Sequence, residues 1–445
     1  MKHTTKTVLA ATTAALTAFI CQPSAQAQTA DSLIDKLVEK GVLSVKEGQA
    51  LRDESDKDFT RAYSAKSGMP DWVTAFKING DIRLRYEGFF REGAPAGVAS
   101  PDQNRFRYRL RFGGTAVMAD NMEVGFGLVS QAAGGDPISG NQSLQDNASK
   151  KAIAIDVAYA KWSPINTPDW SLAFTGGKIK NPFVLSDMVF DSDYTPEGGA
   201  IEVGYNINAE HAVKLITGGF VLDENGATSR DPYLVAAQLR FDSTWSEHLK
   251  TSFGVAALSI LGGDMLTTAL IANNVNAGNT RNAAGVVTEG FNPIVVDGSV
   301  TYNFNNVPKY AGPFPVTLAG EYMNNPRAAN LGEAYSVGIT LGKAGKKGLW
   351  EVGYRWKELQ NDAWYEELTD SDTGAFYQTA PLNSGLLAGY RSGTGVRGHV
   401  IRSSYSPYDS LTLSVSLFNI WAINENPVNT GSAINRLQVD ASWKF

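Results

Sequence analysis

Residues 434–445 alternate without a fault. Leu437, Val439, Ala441, Trp443 and Phe445 share one side of an extended strand, and Arg436, Gln438, Asp440, Ser442 and Lys444 share the other. Successive side chains of a strand point to opposite faces, so this segment has one apolar face and one charged face. The same period recurs along nearly the whole chain. Its most demanding instance is Arg105, Arg107, Arg109 and Arg111 interleaved with Phe106, Tyr108, Leu110 and Phe112. A soluble sandwich could show one such strand at an edge. A chain built almost entirely of them calls for a sheet with lipid on one side and water on the other.

The N-terminus gives an address. Lys2 and Lys6 precede an uncharged stretch from Val8 to Ile20, and Ala25-Gln26-Ala27 offers small residues for cleavage before Gln28. This reads as a secretory signal peptide over 1–27, too short to span a bilayer as a helix. The single cysteine, Cys21, lies within it, and Ile20 stands where a lipoprotein site needs a small residue. The mature chain is then expected to hold no thiol and no disulfide. Removing Lys2 and Lys6 takes 39 basic residues to 37 against 45 acidic, a net charge of −8, which argues against a nucleic-acid partner. The mean hydropathy of −0.19 is that of a soluble protein. Alternation explains it, because lipid-facing and water-facing residues average out.

From Thr29 to about Asp58 the period becomes helical. Leu33, Leu37 and Val38 repeat at helix spacing, Gly41 stops the helix, and Ser44 with Glu47 forms a capping box for a second one. A helical hairpin with its linker is expected over 28–70, either solvated at the periplasmic mouth or self-associating. Beyond it, 71–445 reads as about sixteen strands, near 76–88, 104–117, 121–131, 151–162, 170–180, 199–208, 211–222, 232–242, 247–261, 293–304, 314–324, 333–343, 348–359, 395–405, 410–422 and 434–445. Connections after even strands are brief; those after odd strands are mostly long and polar, notably 89–103, 132–149, 181–198, 262–292 and 360–394. The expected fold is an all-β transmembrane antiparallel barrel, with short periplasmic turns and long outer loops.

The arginine file fixes the lumen. Each arginine facing lipid near the midplane would cost about 2–4 kcal/mol, so Arg105, Arg107, Arg109 and Arg111 must face inward. Arg83 and Arg85 on the first strand join them at an interstrand spacing of about 4.8 Å. Some of these charges serve as structural partners of Asp81 and Glu87. The acidic counterpart lies in the third outer loop, where Asp187, Asp191 and Asp193, with Glu197, fall among Phe183, Phe190 and Tyr194. Folded into the barrel, these carboxylates would face the arginine wall across a constriction and focus a field there. Their spacing does not supply a Ca²⁺ site, so no metal is expected.

The run Gly80-Asp81-Ile82-Arg83-Leu84-Arg85-Tyr86-Glu87, the arginine file, the loop from Asn181-Pro182-Phe183 to Pro196-Glu197-Gly198 and the terminal Phe445 resemble the bacterial putative porin family. The resemblance implies a water-filled diffusion channel in the bacterial outer membrane, with no cofactor, passing small hydrophilic solutes or ions. It implies a homotrimer like that of general porins. Trp443 and Phe445 are expected to act as the signal read by the barrel assembly machinery.

Enzyme signals are poor. Gly393-Thr394-Gly395-Val396-Arg397-Gly398 fits a dinucleotide fingerprint, but it opens a strand rather than a helix. His211, His248 and His399 stand alone, with His399 expected in the lumen beside Arg397; no catalytic residue is assigned. The rival reading is a structural or partner-binding barrel with a plugged lumen, and a hydrolase built on His399 with Ser403 or Ser404 comes third.

Overall fold

The computed structural model describes residues 70–92, 103–131, 136–226, 229–266, 277–282, 286–373, 375–376, 390–391, 393–423 and 433–445. The expected signal peptide and helical hairpin lie outside these residues. Among the described residues there is no α-helix, only a single 3-10 turn at Gly263–Met265.

Sixteen strands make the barrel: β1 (Val73–Glu92), β2 (Gln103–Met118), β3 (Met122–Gln131), β4 (Ala152–Asn166), β5 (Trp170–Lys178), β6 (Glu197–Asn206), β7 (His211–Val221) and β8 (Tyr233–Thr244). There follow β9 (Leu249–Leu261), β10 (Ile294–Phe304), β11 (Phe314–Asn324), β12 (Glu333–Gly342), β13 (Trp350–Leu359), β14 (Val396–Tyr408), β15 (Leu411–Ala422) and β16 (Ala433–Lys444). Each pairs with the next, and β16 pairs back with β1 from Asp81↔Lys444 to Glu92↔Ala433. The sheet therefore has no open edge, as lipid demands of any backbone it surrounds. A two-residue piece, Gln142–Ser143, pairs with Arg107 and Tyr108, extending the sheet beside β2 beyond the end of β3.

These strands fall within a few residues of those expected, and the connection lengths alternate as expected. At one end the turns are tight. Asp120 and Asn121 both adopt positive φ, 60° and 58°, between β2 and β3, the geometry that two-residue hairpins favour and that Asp and Asn tolerate. At the other end lie the long loops.

The outer face is an apolar belt. Leu84, Phe106, Phe126, Ile155, Leu239, Phe253, Leu318, Val337 and Leu417 are all exposed, and they alternate with inward residues all round the wall. A continuous belt of this kind far exceeds the few hundred Å² of contiguous apolar surface that a soluble monomer shows. Trp162, Trp170, Tyr205, Trp245, Tyr302, Tyr405 and Trp443 ring its turn end, and Tyr233, Tyr322 and Tyr335 mark its loop end. Aromatic girdles at both rims are what an interfacial position selects.

Candidate functional site

All six arginines singled out in the sequence point inward, and most are bound to specific carboxylates. Arg85 on β1 is nearly buried and grips Asp440 of β16 with a two-pronged contact, both arms at 2.8 Å. Glu87 has no exposed surface and accepts from Arg105 and from Arg436 of β16, with Arg107 at 3.7 Å. A carboxylate so enclosed is tolerable only because three guanidinium groups surround it. Arg109 meets Asp81 at 2.9 Å and Asp193 at 3.0 Å, and Arg111 meets Asp156 and Asp193, each at 3.1 Å. Arg83 donates to the neutral side-chain oxygen of Asn141 at 2.7 Å.

The loop between β5 and β6 runs inside the barrel. Ile179, Phe183, Met188, Val189, Phe190 and Tyr194 are buried, and the stacked rings of Phe190 and Tyr194 stiffen its return limb. Its outward limb is tied to the far wall. Gln238 of β8 accepts from the Val184 amide at 2.9 Å, and Glu321 of β11 accepts from the Ser186 amide at 2.8 Å.

The loop's carboxylates do not share one fate. Asp193 alone meets the arginine wall. Asp187 reaches Arg355 and Lys357 on β13, with Arg402 of β14 at 3.9 Å. Burial would raise its pKa, but these three cations outweigh that and hold its carboxyl well below the usual range. Asp191 contacts no cation among the described residues; its oxygens accept from the backbone amides of Asp193, at 2.7 Å, and Ser371, at 3.0 Å. Burial, with Asp370 and Asp193 close by, pushes its carboxyl up to about 8.

Glu197 departs from the expectation. It opens β6 on the outward side, pairs with Lys178 at 3.0 Å and is largely exposed, because its parity is that of Ile201 and Tyr205 rather than that of Ala200. His399 also departs. Its parity is that of Ile401, so it lies on the outer face, 2.9 Å from the Tyr354 hydroxyl and against Trp356 and Trp421. Trp443 and Phe445 are outward at the turn end.

A second inward segment, 360–373, lies within the stretch 360–394 that the sequence marks only as a long polar loop. Trp364 and Glu366 are completely or almost completely buried there. The Trp364 indole donates to Val189 O at 2.9 Å, Asp191 N donates to Leu368 O at 2.7 Å, and Asp370 N donates to Asp187 O at 2.9 Å. The fully buried Arg281–Glu366 pair joins a third segment, 277–282, to the same unit. The signal in the sequence was the dense aromatic and acidic run Asp362-Ala363-Trp364-Tyr365-Glu366, which is unusual for a solvated loop.

Space remains on both sides of the β5–β6 loop. One cavity of about 800 Å³ borders the base of the loop and its return limb and is lined by Asp81, Arg83, Arg109, Arg111, Lys180 and Lys444. Another, of about 420 Å³, borders its outward limb and is lined by Arg240, Asp297, Glu321, Arg355 and Arg402. Both carry charged side chains on walls that also include apolar ones.

Comparison with known proteins agrees with this architecture. Pseudomonas putida OprB, in its high-pH structure, superposes with a TM-score of 0.52 at 11% identity, covering 88% of this chain and 97% of that one. A triple mutant of Rhodopseudomonas blastica porin gives a TM-score of 0.41 at 11% identity, over 83% of this chain and all of that one. No curated protein matches in sequence. The family described as "Putative porin" matches residues 91–260. The resemblance read from the sequence is thereby borne out over that stretch, from the end of β1 through most of β9, where the chain is similar to the putative porin family.

Proposed function

We propose that the chain is an outer-membrane porin through which small hydrophilic solutes diffuse passively. The observation that carries this reading is the β5–β6 loop, which enters the lumen, is tied to opposite walls by Asp187 and Asp193, and has a charge-lined cavity beside each limb. Oppositely charged groups fixed across a narrow aqueous passage orient a dipolar solute and filter by charge. The apolar belt with its aromatic rims supports residence in lipid. The short turns then face the periplasm, on the side where β1 begins and β16 ends, and Trp443 and Phe445 serve assembly there. A trimer, with the outer membrane's lipid around it, is the assembled form proposed.

The rival is a plugged barrel that binds a partner through its loops. The burial of 360–373 and of Arg281 inside the wall is the observation in its favour. Planar-bilayer recording of the folded, detergent-extracted protein separates the two. A porin gives ohmic conductance steps, and a liposome containing it swells in sugar solutions. A plugged barrel gives neither.

A further inference from the structure

The positive charges of the wall formed by β1, β2 and β16 do not all find carboxylates. Glu87 serves Arg105, Arg107 and Arg436, and Asp440 is held by both arms of Arg85. Asp81, Asp156 and Asp193 are taken by Arg109 and Arg111. Arg83 has no carboxylate at ion-pair distance among the described residues. Its one polar contact among the described residues is the neutral Asn141 oxygen, and its Nε, like those of Arg107, Arg109 and Arg111, is buried without a partner.

Arg83 opens into the 800 Å³ cavity, where Lys180 and Lys444 are exposed and likewise meet no carboxylate among the described residues. Lys180 stands on the loop side of the passage, just beyond β5, and Lys444 on the turn side, as the last residue of β16. Ser442 lies directly across from Arg83 in the β1–β16 register, and Ser414 and Asn181 line the same space. A guanidinium presents a rigid planar fork that matches a carboxylate, whereas ammonium groups act as point charges. Hydroxyl and amide groups around it would hydrogen-bond a hydroxylated carbon chain.

We infer that Arg83 is the centre of an anion subsite in this passage. It takes the carboxylate of a small hydroxylated acid, and Lys180 and Lys444 draw that acid in from the two sides. The inference rests on the porin reading and narrows it to a solute class.

Bilayer recordings of the full chain in potassium chloride, with sodium gluconate or neutral sorbitol added on one side, test it. Gluconate should block the single-channel current saturably at concentrations where sorbitol does not. Arg83→Gln should raise the half-blocking concentration about tenfold, the equivalent of one charge-assisted contact of about 1.4 kcal/mol. Lys180→Gln, outside the strands, should raise it less, about two- to threefold for a charge acting at a distance through water. Gluconate no more effective than sorbitol, with ohmic steps present, overturns the subsite and leaves the porin reading standing. Unchanged block in folded Arg83→Gln overturns the assignment to Arg83. If that variant does not fold, the wild-type comparison and Lys180→Gln decide. Absence of any conductance steps overturns both the subsite and the porin reading.

Discussion

The amide of Phe445 donates to the carbonyl of Gly80 at 3.0 Å, and the amide of Gly80 donates back to a terminal oxygen of Phe445 at 2.9 Å. Phe445 is thus stitched to the first barrel strand, and this pair ends the β1–β16 seam at the turn side. A side chain at position 80 would run into the Phe445 ring and approach the Arg111 carbonyl oxygen at 2.6 Å. Glycine is there because backbone and ring come too close for anything larger.

Gly80→Val and deletion of Phe445 should therefore fail in the same way. Each leaves the closing pair unmade or displaced, exposing edge amides that lipid cannot satisfy. The yield of heat-modifiable folded protein in the membrane fraction should fall several-fold for both, while Gly226→Ala, in open space without a positive φ, should not change it. Normal yield for both seam variants would show that closure does not depend on this contact.

Arg109 and Asp193 should set charge preference in opposite directions. Arg109→Ser leaves Asp81 and Asp193 short of one cation, so the reversal potential in a dilute salt gradient should move toward cation preference. Asp193→Asn frees Arg109 and Arg111 and should move it toward anions. Both shifts should shrink near 1 M salt, where screening reaches only about 3 Å. Equal reversal potentials in the two variants would remove these groups from the conduction path.

Trp364 locks the two inward loops together. Its ring packs edge-on against Phe190 and Phe291, and its indole donates to Val189. Trp364→Ala should cost about 3–5 kcal/mol of local packing. The barrel strands would persist, but single-channel conductance should rise and become noisier as 360–373 leaves the lumen. A quiet channel of wild-type size would mean that this segment holds its place without the ring.

Alkaline pH should loosen the same clip through Asp191. The groups that face it are Asp370, itself bound to Lys357, and Asp193, bound to Arg109 and Arg111. Its carboxyl is raised to about 8 in the folded chain, against about 3.9 for a free aspartate. The folded form therefore keeps the proton longer, and the stability this confers is full at acid pH. It is lost progressively as pH rises from about 4 toward 8. Channel flicker should increase between about pH 6 and 9, and Asp191→Asn should flatten that response; an unaltered pH profile in the variant would place the titration elsewhere.

Much of the barrel was legible because its code is one-dimensional. A strand between lipid and water must alternate, and a two-residue period is visible without knowing any neighbour. The strand boundaries, the tight turn at Asp120-Asn121 and the inward arginine file all follow from that rule. Its errors follow from it as well. A shift of one residue flips a side chain to the opposite face. Glu197 and His399 were placed on the wrong side where a strand meets its loop and the alternating pattern gives out.

The sequence by itself determined which faces meet lipid and water, since hydropathy and spacing carry that information locally. Only the tertiary structure decided which charges meet. Asp187 finds Arg355, 168 residues away, and Glu87 finds Arg436, 349 residues away, because closure of the sheet and the path of the inward loops bring them together. No local pattern ranks one cation over another as the partner of a buried carboxylate. That choice belongs to three-dimensional proximity and to the desolvation cost each pairing must offset.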